Sequence, residues 1–287
     1  YTHYNCDIRN QGMMNQIFSD YSSDIDLIIH CAAQPSHDWS ADDPLTDFHV
    51  NTTATIQLLE SFREYCPDAK FIFMSTNKVY GDNPNRLDLI ELPFRYELLD
   101  SPGIDETMSL DHCIHSVFGA NKAAADLLVQ EYGKNFGLHT VCFRGGCLTG
   151  PRHQGAELHG FLSYLVKCVK GGKPYTVYGH RGKQVRDNIH SEDLINCFWE
   201  YYKNPTQGEA YNIGGGRESH CSLIEAVGVI EVLLEKTANL TFDATPRVGD
   251  HLWYVTDYSK FKKDFPGWEQ KYNGVDVLRD LCNPKSQ

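Results

Sequence analysis

The chain has 287 residues, 41% hydrophobic and 22% charged, with 38 acidic against 26 basic side chains and a formal net charge of −12. That length can bury a sizeable core in one or two domains, and the composition argues against a disordered or fibrous chain. The acidic balance argues against a general nucleic-acid binder, and the apolar runs are too short to span a membrane as helices.

In chain order, residues 26–31 read as a buried strand, and residues 50–64 carry Val50, Ile56, Leu58, Leu59 and Phe62 at helical spacing. A second strand is expected at 70–74, a long helix at 116–132 and a third strand at 140–143. Strands alternating with helices at this spacing predict a parallel sheet with crossover helices. Beyond Gly150 the pattern loosens: a helix near 160–170, strand-like 175–178 and 185–189, a helix from Ser191, then 211–213 and a helix over 222–236. The expected fold class is therefore α/β, with a first lobe over 1–150, to which 184–203 adds, and a smaller α+β lobe over 151–287.

The ten cysteines lie mostly in apolar runs, without a CxxC pair, and the 13 histidines show no metal-binding spacing. Free thiols in a reducing cytosol and no metal are expected, hence a cytoplasmic protein.

Open parallel sheets bind ligands at the carboxyl ends of their strands. Ala32-Ala33-Gln34 follows the first strand, where small side chains admit a ligand to the backbone. Ser75-Thr76-Asn77-Lys78-Val79-Tyr80-Gly81 follows the second, and Phe118 and Lys122 lie one turn apart on the long helix.

These segments, with Val185-Arg186-Asp187, occur in the order seen in the extended short-chain dehydrogenase/reductases, the nucleotide-sugar epimerases and dehydratases, which the chain resembles. The resemblance implies a Rossmann-like doubly wound parallel sheet binding NAD, a second lobe binding a nucleotide sugar, and a homodimer joined through helices matching 48–64 and 116–135. It implies cofactor contacts from Asp7, Ile8, Ala32, Ala33, Gln34, Asn51, Ser75, Lys122 and Gly145, and substrate contacts from Lys78, Arg186, Asn212, Arg247 and Asp250. The catalytic positions would be Thr76, Phe118 and Lys122.

In that family a tyrosine, its pKa lowered by Lys and the oxidised nicotinamide, takes the sugar hydroxyl proton. Here Phe118 stands at its position, and a phenyl ring has no proton to exchange. Three readings stay open: another acid/base (Tyr80, His112, Cys113 and His115 are nearest in sequence), an engineered Tyr-to-Phe change, or a binding protein without catalysis. The family's 4,6-dehydratases carry Asp-Glu directly after the Thr, whereas this chain has Asn77-Lys78, which disfavours dehydration. Residues 75–82, His115-Ser116, 182–187 and the long insertion 83–111 look most like the CDP-tyvelose (CDP-paratose) 2-epimerases. The implied reaction is epimerisation at C2 of a CDP-sugar through a keto-sugar, with a 4-epimerase as the alternative. No GxxGxxG occurs, and His3-Tyr4-Asn5-Cys6-Asp7-Ile8 resembles the end of the family's third strand, by the adenine. The resemblance thus implies that about two βα units of the family's cofactor lobe are not in this chain.

Overall fold

The computed structural model describes residues 1–157, 160–246 and 249–283, which form two compact units. The first comprises 1–81, 115–144 and 201–211, and the second 82–114, 145–200 and 212–287.

The first unit is an α/β layer. The Asn10 side chain accepts from Met13 N at 3.1 Å and starts the helix Gln11–Tyr21, whose Met14 and Phe18, four apart, face the core. The strand Leu27–His30 pairs in parallel with Lys70–Thr76, Leu27 opposite Lys70, and the sheet continues through His139–Gly145 to Glu209–Ile213. Leu58, Leu59 and Phe62 from the helix Ala54–Tyr65, Phe71 and Phe73 from the strand, and Val129 from the helix Ser116–Phe136 close the core. Near-continuous apolar strands are what a sheet covered by helices requires. Gly119 lets the long helix approach the turn after the second strand, because a Cβ there would lie 2.9 Å from Lys78 O.

The second unit centres on the strand Val185–His190, which pairs antiparallel with His220–Ser222 and parallel with Trp253–Tyr254 and Cys147–Thr149. A parallel pair, Pro174–Tyr178 with Asn239–Asp243, lies apart from it. The helices Phe161–Gly171, Leu223–Leu234 and Gly274–Cys282 pack through Leu165, Val166, Ile230 and Leu278, and capping boxes at Ser222/Glu225 and Asn273/Asp276 begin the latter two.

Several expectations need correction. Residues 184–200 belong to the second unit, because Val185–His190 finds all its strand partners there. So does the insertion 83–111: Arg95 pairs with Glu225 at 2.6 Å, and Asn85 Nδ2 donates to Asp250 O at 3.0 Å. The domain boundary is thus not a single cut at 150. Residues 1–10 form turns rather than a strand, with Cys6 N bonding Tyr4 O and Asn10 N bonding Asp7 O. The helix expected over 50–64 is divided, its start being a π-helical turn, His49–Thr53. All ten cysteines are free, and no metal-binding cluster or membrane-length apolar helix occurs among the described residues.

Candidate active site

In the first unit, the strand Leu27–His30 delivers Ala32 and Ala33, both exposed, and then Gln34. Asn51 fixes that loop by accepting from Gln34 N at 3.1 Å and donating to Gln34 O at 3.0 Å. Behind it the wholly buried Asp47 carboxylate receives the amides of Gln34 (2.7 Å), Asn51 (3.1 Å) and Asn121 (2.6 Å). The π turn at 49–53 places Asn51 for this, an irregularity of the kind that recurs at functional sites.

The second strand ends at Thr76, half-buried, whose hydroxyl accepts from Lys78 N at 3.2 Å and caps the 3-10 turn Asn77–Tyr80. Lys122 is buried: its Nζ donates to Met74 O at 2.8 Å and lies 4.0 Å from the centre of the Phe73 ring. Burial lowers its pKa to about 8 against the pull of Asp126, so the ammonium is a poised cation. Phe118 is buried against the His37 ring, with centroids 5.0 Å apart and planes at 72°.

Beneath these groups lies a scaffold invisible in the motifs. Asp126 receives Ser75 Oγ at 2.5 Å, Arg144 Nε at 3.1 Å and Nη2 at 2.8 Å, and Gln130 Nε2 at 2.7 Å. Arg144 Nη1 reaches the Tyr80 hydroxyl at 3.1 Å. The side chains of Ser75 and Asn51 thus bond within the fold, to Asp126 and to the Gln34 loop and Asp47, and support the neighbouring groups. Tyr80, fully buried beside Arg144, is no candidate acid/base, and His115 commits Nε2 to Val79 O at 2.8 Å. The spacing of Asp126, four residues after Lys122, was the one available signal for this scaffold.

Asp7 is exposed and pairs with Arg9 at 2.7 Å, which lowers its pKa to about 2, while Ile8 packs on the core. The donor set suits a dinucleotide: an ionised carboxylate for ribose or adenine, an open Ala-Ala backbone, and a buried ammonium for hydroxyls. Asp7, Ala32, Ala33, Gln34 and Lys122 would hold NAD.

In the second unit, Arg186 is buried in its strand, donating to the Asp250 carboxylate and to Val185 O at 2.6 Å. Asn85 braces that loop, accepting from Leu252 N at 2.7 Å. Asn212 is fully enclosed, its Nδ2 donating to Ile104 O at 2.9 Å and its N to Glu106 Oε1 at 2.6 Å, which braces the insertion. Gly145 ends its strand packed against Leu148, and Arg247 lies outside the described residues.

The model of the NAD dependent epimerase/dehydratase family matches residues 2–214. The CDP-paratose 2-epimerase of Salmonella typhi is 34% identical over 284 residues, covering 96% of this chain and 81% of that protein. The chain belongs to the NAD-dependent epimerase/dehydratase family. The dTDP-glucose 4,6-dehydratase of Escherichia coli is 29% identical over 93% of this chain and 75% of its own length. Among solved structures, the UDP-glucose 4-epimerase of Thermotoga maritima with UDP-glucose superposes with a TM-score of 0.81 at 24% identity, covering 97% of this chain and 82% of that one. The UDP-glucuronic acid 4-epimerase of Bacillus cereus, with UDP-glucuronic acid and NAD, gives 0.75 at 26%, covering 93% and 77%. The fold is the Rossmann type of these enzymes, and the family's cofactor is NAD.

Proposed function

We propose that this enzyme inverts C2 of a CDP-sugar. The observation that carries the reading is the turn after Thr76, where Asn77, buried, and Lys78 occupy the two positions that hold Asp-Glu in the dehydratases it resembles. An amide and an ammonium cannot share out the acid and base roles of water elimination. The 34% identity to a CDP-paratose 2-epimerase supports both the nucleotide and the carbon.

When bound, NAD supplies a hydride acceptor that returns what it takes. Thr76 then hydrogen-bonds the reacting sugar oxygen while its own lone pair stays on Lys78 N. Lys122 holds ribose hydroxyls, and its charge favours loss of a nearby hydroxyl proton. Arg186 takes a diphosphate oxygen, exchanging Asp250 for a stronger bidentate partner. Leu45, Phe48 and Leu127 are exposed on the helices Pro44–Phe48 and Ser116–Phe136, which supports pairing with a second copy.

The test is proton NMR of CDP-paratose incubated with the protein and NAD. Inversion of the C2 coupling pattern is expected. Inversion at C4 of UDP-glucose would favour the 4-epimerase reading, which the two 4-epimerase structures motivate. Elimination of water would overturn the proposal.

A further inference from the structure

We infer that His37 is the acid/base that stands in for the tyrosine absent at position 118, an assignment that rests on the epimerase reading above. Its ring contacts Phe118, with centroids 5.0 Å apart, although the two residues are far apart in sequence. His37 is half-buried on the segment that follows Ala32-Ala33-Gln34, at the carboxyl end of the sheet where ligands of such folds bind.

The surroundings hold this ring in one place. Ser40 Oγ donates to His37 O at 2.6 Å and accepts from Phe118 N at 3.2 Å, tying the helix His37–Asp42 to the start of the long helix. His37 Nδ1 lies 2.8 Å from Ser116 Oγ, which also accepts from Gly119 N at 3.2 Å. Ser116 has a φ of 63°, a left-handed conformation costly for a serine. In that conformation its hydroxyl meets the ring and Gly119 N at once. A hydroxyl oxygen has two lone pairs, so Ser116 can accept both Gly119 N–H and His37 Nδ1–H. The basic lone pair is then on Nε2, and protonation there leaves the bond to Ser116 intact. This is the arrangement by which a neighbour selects the tautomer of a catalytic imidazole.

The step balances. As the carbon–hydrogen electron pair leaves the sugar for the cofactor, the hydroxyl proton passes to the His37 imidazole, giving a ketone and an imidazolium. Return of the hydride to either face, with return of the proton, restores an alcohol of either configuration. Among the other candidates, Tyr80 is enclosed with Arg144, His115 is bonded to Val79 O, and His30 is buried on Thr55 Oγ1 at 2.9 Å.

The experiment uses the full chain with NAD and CDP-paratose, comparing wild type, His37→Gln, Ser116→Ala and His37→Gln/Phe118→Tyr. His37→Gln should lower kcat by about 100-fold or more with KM little changed, the usual weight of general acid–base catalysis. Ser116→Ala should lower kcat about 10-fold, and Phe118→Tyr should restore turnover to the His37→Gln protein. Independently of turnover, nitrogen-15 NMR of the wild type should show the neutral His37 ring protonated at Nδ1, and Ser116→Ala should shift it toward the other tautomer. A His37→Gln protein as fast as an active wild type overturns the assignment, as does a ring that stays in the Nε2–H form. A wild type that alters no nucleotide sugar overturns the epimerase reading, and this one with it.

Discussion

Arg144 and Arg186 are both strand arginines paired to a carboxylate, yet they serve opposite ends. Arg144 meets Asp126 through two nitrogens, with side chains 5% and 0% exposed. Burial opposes its charge, but the Asp126 bonds outweigh this and hold its pKa above the ordinary guanidinium value. Arg186 meets Asp250 Oδ1 through Nη2, with side chains 10% and 23% exposed. A pair enclosed on all sides cannot change partners without stranding a charge; a pair partly open to solvent is where an incoming phosphate would compete. The same two residue types thus make a scaffold in one unit and a candidate anion site in the other.

The largest effect expected is from Arg144→Met, which strands Asp126 and should cost about 3–5 kcal/mol in urea unfolding. Adding Asp126→Leu should recover much of that loss, since the cost comes from the stranded carboxylate rather than from loss of the pair itself. An unchanged midpoint for Arg144→Met would erase the contrast.

Lys122 is the intermediate case, a buried cation held by a carbonyl and a ring. Its pKa falls from 10.5 to about 8, so the folded chain releases this proton before the unfolded chain does. The wild type should therefore gain stability as pH rises from 8 to 10.5, by about 3 kcal/mol at about 1.4 kcal/mol per unit. Lys122→Met should lack that gain, so in paired melts at pH 7.5 and 10 the wild type should gain stability relative to the variant. A constant difference would place Lys122 with the scaffold.

Arg186→Gln should be the mildest. Stability should change by about 1 kcal/mol, as for half-open pairs, while nucleotide-sugar affinity falls about 10- to 100-fold by calorimetry. The reverse pattern, large instability with unaltered binding, would make Arg186 a second Arg144.

The site was only partly legible in the sequence. Ala32-Ala33-Gln34, Thr76 and Lys122 follow strands or share a helix turn, so local pattern places them. Ser75 and Asn51 stood in the same motifs but turn inward, because Asp126 and Asp47 lie behind them. His37 escaped notice since nothing between residues 37 and 118 links a lone histidine to a phenylalanine until two helices pack. Chain order alone predicts the insertion 83–111 in the first lobe; its ion pair with Glu225 and its bond to Asp250 put it in the second unit.

By itself, the sequence determined the alternation of strands and helices, the order of the motifs and the loss of a phenol at position 118. These are local properties, set by side-chain period and residue chemistry. Only the tertiary structure decided which polar groups are spent on the fold, which arginine is the more enclosed and which ring lies beside Phe118. Burial and partner choice depend on what packs opposite a residue, and that is fixed only when distant segments meet.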